Sequence, residues 1–205
     1  MPILNFSLVT FFGNYKIVNY RSIKPLNLRN FILLLFVFCL FINAKCKKDN
    51  PDINGLPPTT QSGNNTLGFL LNGQPWIPKG NNGTANLSID VDFGFNEGGF
   101  SIAAYRLLGG GSAQDIIFGI RDSLNHLSIP ISLSLGQNSL FGIRFGNDNC
   151  TFYSSDANTI KSGALVITKL DKAARIISGT FSATLSKLGC SDTIMITDGR
   201  FDMKY

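Results

Sequence analysis

The chain has a single histidine, His126, in 205 residues. A Ser-His-Asp or Cys-His site would have to be built on it. It falls in Asp122-Ser123-Leu124-Asn125-His126, a polar stretch with the character of a turn, and no serine occupies a GxSxG elbow. An exposed loop histidine is the plainer reading, and one histidine with a few cysteines supplies no zinc ligand set. Carboxylates are the remaining acid–base resource. Asp90 and Asp92 lie two apart, so a strand would put both on one face, close enough to share a proton or a cation. That face is the polar one, opposite Ile89 and Val91, and a solvated strand surface is the plainer reading. No DxDxDG spacing of a calcium loop occurs. Gly109-Gly110-Gly111 lacks the helix start and lysine of a phosphate cradle, since Ser112-Ala113-Gln114 leads into a strand. No cofactor or metal is expected. Trp76 with Tyr105, Tyr153 or Phe152 would make an aromatic platform for a sugar or a peptide, unless these rings belong to the core.

The elements that must position these residues are strands. Leu87, Ile89, Val91 and Phe93 alternate with polar residues, as do Leu127 to Leu135, Ile177 to Leu185 and Phe201 to Tyr205. A period of two marks strands with one face on a core and one in water. Further strands fit at 67–71, 100–106, 115–121, 140–145, 151–154, 164–170 and 192–197. Asn72-Gly73 and Asp198-Gly199 read as hairpin turns, because they supply the positive φ that tight turns demand. About ten strands at regular spacing, and no helical stripe after Cys46, predict an all-β domain. An antiparallel β-sandwich is the first choice and a β-barrel the second. Pro130 places its strand at an edge or a bulge.

Before this domain the composition changes. Phe31 to Ile42, FILLLFVFCLFI, is twelve uncharged residues, about 18 Å as a helix and too short to span a bilayer. Lys24 and Arg29 precede it, the basic-then-apolar order of a secretory signal. Residues 1–45 therefore read as signal peptide and leader, longer than usual before Lys24. Residues 47–66, KKDNPDINGLPPTTQSGNNT, carry three prolines and two glycines and read as a flexible tether from Cys46 to a domain over 67–205. From Lys47 onward 13 basic residues face 13 acidic ones. The basic excess thus belongs to the export signal, and no nucleic-acid partner is expected. In the domain only Cys150 and Cys190 remain, an even pair bound for an oxidising compartment; a disulfide between them is expected, with two buried free thiols the alternative.

At Phe41-Ile42-Asn43-Ala44-Lys45-Cys46-Lys47-Lys48-Asp49-Asn50 the chain resembles the lipobox and first mature residues of lipoproteins from Bacteroidota-type bacteria, with Lys45 where a small residue is usual. The resemblance implies a lipid on Cys46, and Lys47-Lys48-Asp49 resembles their surface-display signal. The domain itself is similar to a domain-of-unknown-function family of lipoproteins from the same bacteria. The likeness rests on Gly68-Phe69, Asn72-Gly73 and Trp76 of a GFxxNGxxW opening, and on closing stretches at 163–171, 176–181 and 197–202. It implies a β architecture and a place in the cell envelope, as an outer-membrane lipoprotein facing the periplasm or the surface, and carries no catalytic residues. The expected function is a lipid-anchored, non-enzymatic β domain that binds a glycan or protein, or serves structurally. The alternative is a glycan-acting hydrolase using paired aspartates such as Asp90 and Asp92.

Overall fold

The computed structural model describes residues 54–205. The expected leader, Cys46 and the first residues of the expected tether lie outside these described residues. The strands are β1 (Thr66–Leu71), β2 (Gln74–Trp76), β3 (Leu87–Asp92), β4 (Gly99–Gly109), β5 (Ser112–Ile120), β6 (Ile131–Ser134), β7 (Phe141–Gly146), β8 (Thr151–Tyr153), β9 (Thr159–Asp171), β10 (Ile176–Lys187) and β11 (Ile194–Lys204). A short 3-10 turn, Leu124–His126, lies between β5 and β6. They form a six-stranded sheet in the order β2-β1-β11-β10-β9-β6 and a five-stranded sheet in the order β3-β4-β5-β7-β8. Every strand pairing is antiparallel. Neither sheet closes into a barrel, and the fold is a β-sandwich.

Alternation fills the space between the sheets. From the five-stranded sheet Phe100, Ile102, Phe118, Ile120, Ile143 and Phe145 point inward; from the other come Phe69, Leu165, Phe181, Leu185 and Phe201. Aromatic rings stitch the two layers. Phe118 stacks on Phe181 with centroids 4.2 Å apart and meets Phe201 edge-on at 5.6 Å. Such pairs contribute about 0.5–1.5 kcal/mol beyond their buried area. Asn72-Gly73 makes the β1–β2 turn with both φ positive, as the dipeptide predicts. That turn sets Phe69 opposite Trp76, and the two rings stack at 4.6 Å. Pro130 immediately precedes β6, which is an edge strand as expected.

Two expectations are corrected. Asp198-Gly199 is not a hairpin turn: it lies within β11, where three steps of that strand, Ile196 to Gly199, oppose two of β10, Ala183 to Phe181. The extra residue is a bulge. Asp198 takes φ 53°, and Gly199 is obligatory because a Cβ there would come within 2.4 Å of the Phe181 carbonyl oxygen. The second correction concerns the tether, whose expected end at Thr66 lies well inside the folded unit. Leu56 is fully buried, and Asp202 of β11 gathers the segment around its carboxylate. Oδ2 accepts from Thr60 Oγ1 at 2.6 Å, Ser62 N–H at 3.0 Å and Asn64 N–H at 3.2 Å. Oδ1 accepts from Gly63 N–H at 2.8 Å and Ser178 Oγ at 2.7 Å. Three successive backbone N–H groups make an anion nest, so a polar sequence with little apolar surface is ordered by one buried charge.

Cys150 and Cys190 form a disulfide, with Cα atoms 5.9 Å apart. Cys150 sits between β7 and β8 and Cys190 between β10 and β11, so the bond joins one sheet to the other.

Candidate ligand-binding furrow

Register places the outward residues of the five-stranded sheet in rows across the strands. Asp90 on β3 faces Ser101 on β4, Ser101 faces Gly119 on β5, and Gly119 faces Gly142 on β7. The neighbouring row runs Ser88, Ala103, Ile117, Arg144, Tyr153. The first row is all short side chains or none, whereas the second ends in long ones. The difference in height, with the 94–98, 121–122 and 136–140 loops opposite, hollows a furrow of about 1070 Å³. At ~4.8 Å between strands, the row from β3 to β7 is roughly 14 Å long.

The glycines of its floor are not equivalent. A Cβ on Gly119 would sit 2.0 Å from the Phe100 carbonyl oxygen, so strand pairing alone dictates that residue. Gly142 is different: among the described residues a Cβ there would meet only Ser154 Oγ, at 3.9 Å. Its backbone has no positive φ. Nothing among the described residues requires glycine at this mid-strand position, where glycine costs about 0.5–1 kcal/mol relative to alanine. The β5–β7 pairing carries no bulge here, so this glycine leaves the β7 backbone open to close approach by a ligand.

Two exposed rings line the furrow at opposite edges of the sheet. Phe95, 65 % exposed, stands on the β3–β4 turn, and Tyr153, 44 % exposed, on β8. The Arg144 guanidinium lies 5.6 Å from the Tyr153 ring centroid and is itself paired with Asp115. Asp90 and Asp92 both line the β3 side. Asp92 is engaged, accepting the N–H groups of Gly94 at 2.7 Å and Phe95 at 3.2 Å and so shaping the turn that carries Phe95.

The expected aromatic platform of Trp76, Tyr105 and Tyr153 does not assemble. Trp76 is fully buried, stacked on Phe69, its Nε1–H donating to Gln114 Oε1 at 2.9 Å beneath the Arg106 guanidinium. Tyr105 points the other way from its strand neighbour Arg106. Its hydroxyl lies 2.8 Å from both Asn82 Oδ1 and the Thr84 carbonyl, fastening the β2–β3 loop. Phe152 is a core residue. Tyr153 alone of these rings reaches the furrow. His126 hydrogen-bonds the Glu97 carboxylate between two exposed turns, and the glycine triplet is the β4–β5 turn. Among the described residues no three His, Cys, Asp or Glu side chains come together as a metal site. The importance of Gly142 lies in cross-strand register and that of Phe95 in the packing of a turn beside the furrow, neither of which is local in sequence. The one local sign was an unforced glycine within the alternating strand 140–145.

Compared with protein-family models, curated proteins and solved structures, the chain matches none.

Proposed function

We propose that this chain is a lipid-anchored cell-envelope protein of the Bacteroidota lipoprotein type, whose β-sandwich binds a ligand without transforming it. The furrow on the outer face of the five-stranded sheet carries this reading: it is open, floored by an unforced glycine and flanked by exposed aromatic rings. The basic-then-apolar leader and the Lys45-Cys46-Lys47-Lys48 stretch support export and a membrane partner held through lipid on Cys46. A ligand is taken from the envelope or its surroundings, a glycan or a protein.

The hydrolase reading draws on Asp90 and Asp92 sharing the same furrow. A carboxylate pair working as acid and base needs both members free to exchange protons. Asp92 is committed to two backbone N–H groups, which favours binding. The full chain, presented in detergent to glycan and peptide arrays, tests the reading. A retained, unaltered ligand supports it; cleavage of that ligand, abolished by Asp90→Asn, would replace it with the enzyme.

A further inference from the structure

We infer that the ligand of the furrow is a neutral glycan chain lying across the strands, with Gly142 as the residue that admits it. The inference rests on the binding reading above and narrows its ligand class. The backbone argues against a peptide first. β4, β5 and β7 are each paired on both sides, so the floor has no free ladder edge on which an extended peptide could add a strand. The side chains argue the same way. A peptide is read through apolar pockets at alternate positions, whereas the central row Asp90, Ser101, Gly119, Gly142 presents hydroxyl, carboxylate and bare backbone.

A sugar chain meets those groups well. Phe95 and Tyr153 offer exposed ring surface, one at each edge of the sheet, for the apolar sides of pyranose rings. Between them, Asp90 and Ser101 can accept hydrogen bonds from sugar hydroxyls. Charge sets the class. Three carboxylates, Asp90, Asp92 and Asp122, and three cations, Arg121, Arg144 and Lys161, line the furrow. They sum to zero, and one cation, Arg144, already has its partner in Asp115. An acidic polymer would gain no field from such a surface. Gly142 completes the argument, because its missing side chain is explained by contact with a ring lying flat on β7.

The test uses the full chain in detergent, titrated with neutral gluco-, manno-, xylo- and galacto-oligosaccharides from the disaccharide upward, with anionic polysaccharides and a peptide library in parallel. The expected result is binding to a neutral series that strengthens with chain length. Gly142→Thr, a better strand former, should weaken that binding about tenfold or more without lowering the unfolding temperature. Phe95→Ala and Tyr153→Ala should each weaken it, and Leu188→Ala, a highly exposed residue outside the furrow, should not. A lowered unfolding temperature with unchanged affinity in Gly142→Thr would make the glycine structural and overturn the inference. Peptides binding in place of glycans, or anionic polymers binding best, would overturn the neutral-glycan class and leave the binding reading standing. No binding to any probe would overturn both.

Discussion

The Asp202 carboxylate accepts a hydrogen bond from the Thr60 hydroxyl at 2.6 Å, across 142 positions of sequence. Burial pushes this carboxyl up, but hydrogen bonds from Thr60, Ser178, Gly63 and Asn64 outweigh it and hold the group below the usual aspartate value. A depressed carboxyl contributes stability that is whole above the unfolded pKa and is lost as pH falls through the folded one. Stability should therefore decline from about pH 5 through the unfolded value near 3.9 and below. Asp202→Asn should cost about 2–3 kcal/mol at neutral pH and flatten that decline, read from urea unfolding at stepped pH. An unchanged acid slope would show that the latch carries no weight.

The same latch decides where a protease can enter. Residues 56–66 should resist limited digestion in the wild-type protein and become cleavable in Asp202→Asn, as mass spectrometry of the fragments would show. Early cleavage between Leu56 and Thr66 in the wild type would contradict the packing of Leu56.

Trp76 fills the core end of the β1–β2 hairpin against Phe69. Trp76→Ala should cost about 3–5 kcal/mol, whereas Trp76→Phe, which keeps the stack and loses only the bond to Gln114, should cost less. Ligand affinity per folded molecule should stay the same in Trp76→Phe, because the indole does not line the furrow. Tryptophan fluorescence should be blue-shifted in the native state and shift red on unfolding.

The Cys150–Cys190 bond closes a 40-residue separation between the sheets. In the chain-entropy description such a loop is worth about 3–4 kcal/mol. Reduction should lower the unfolding midpoint by a corresponding amount and leave the β signature in circular dichroism. Thiol titration of the denatured, unreduced domain should find neither Cys150 nor Cys190 free.

Lipid on Cys46 is tested by Cys46→Ala. Each buried methylene contributes about 0.8 kcal/mol, and more than one acyl chain is needed for firm anchoring. The variant should leave the membrane fraction or stall unprocessed, and it should lack the mass of the lipid. Retention in the membrane with an unchanged mass would remove the anchor from the proposed function.

The sequence by itself determined what short-range chemistry dictates. Period-two alternation needs only neighbouring residues to mark a strand and its buried face, so most strands and the two-layer class were readable. Asn72-Gly73 specified its turn because backbone sterics act within the dipeptide, and an even pair of domain cysteines pointed to the bridge. Tertiary structure decided everything that depends on which strand lies beside which. Asp198-Gly199 has the same local character as Asn72-Gly73, yet β10 continues past it and holds it as a bulge rather than a turn. Residues 56–66 look like a linker by composition, and the arrival of Asp202 from the far end of the chain gives the N–H groups of Ser62, Gly63 and Asn64 their partner. Trp76 went inward because its cross-strand partner is Phe69. The furrow exists because register aligns Asp90, Ser101, Gly119 and Gly142 in one row, although they come from four strands spread over some fifty residues. Local patterning fixes a side chain's face, but its neighbours are fixed by pairings whose partners lie far away in sequence.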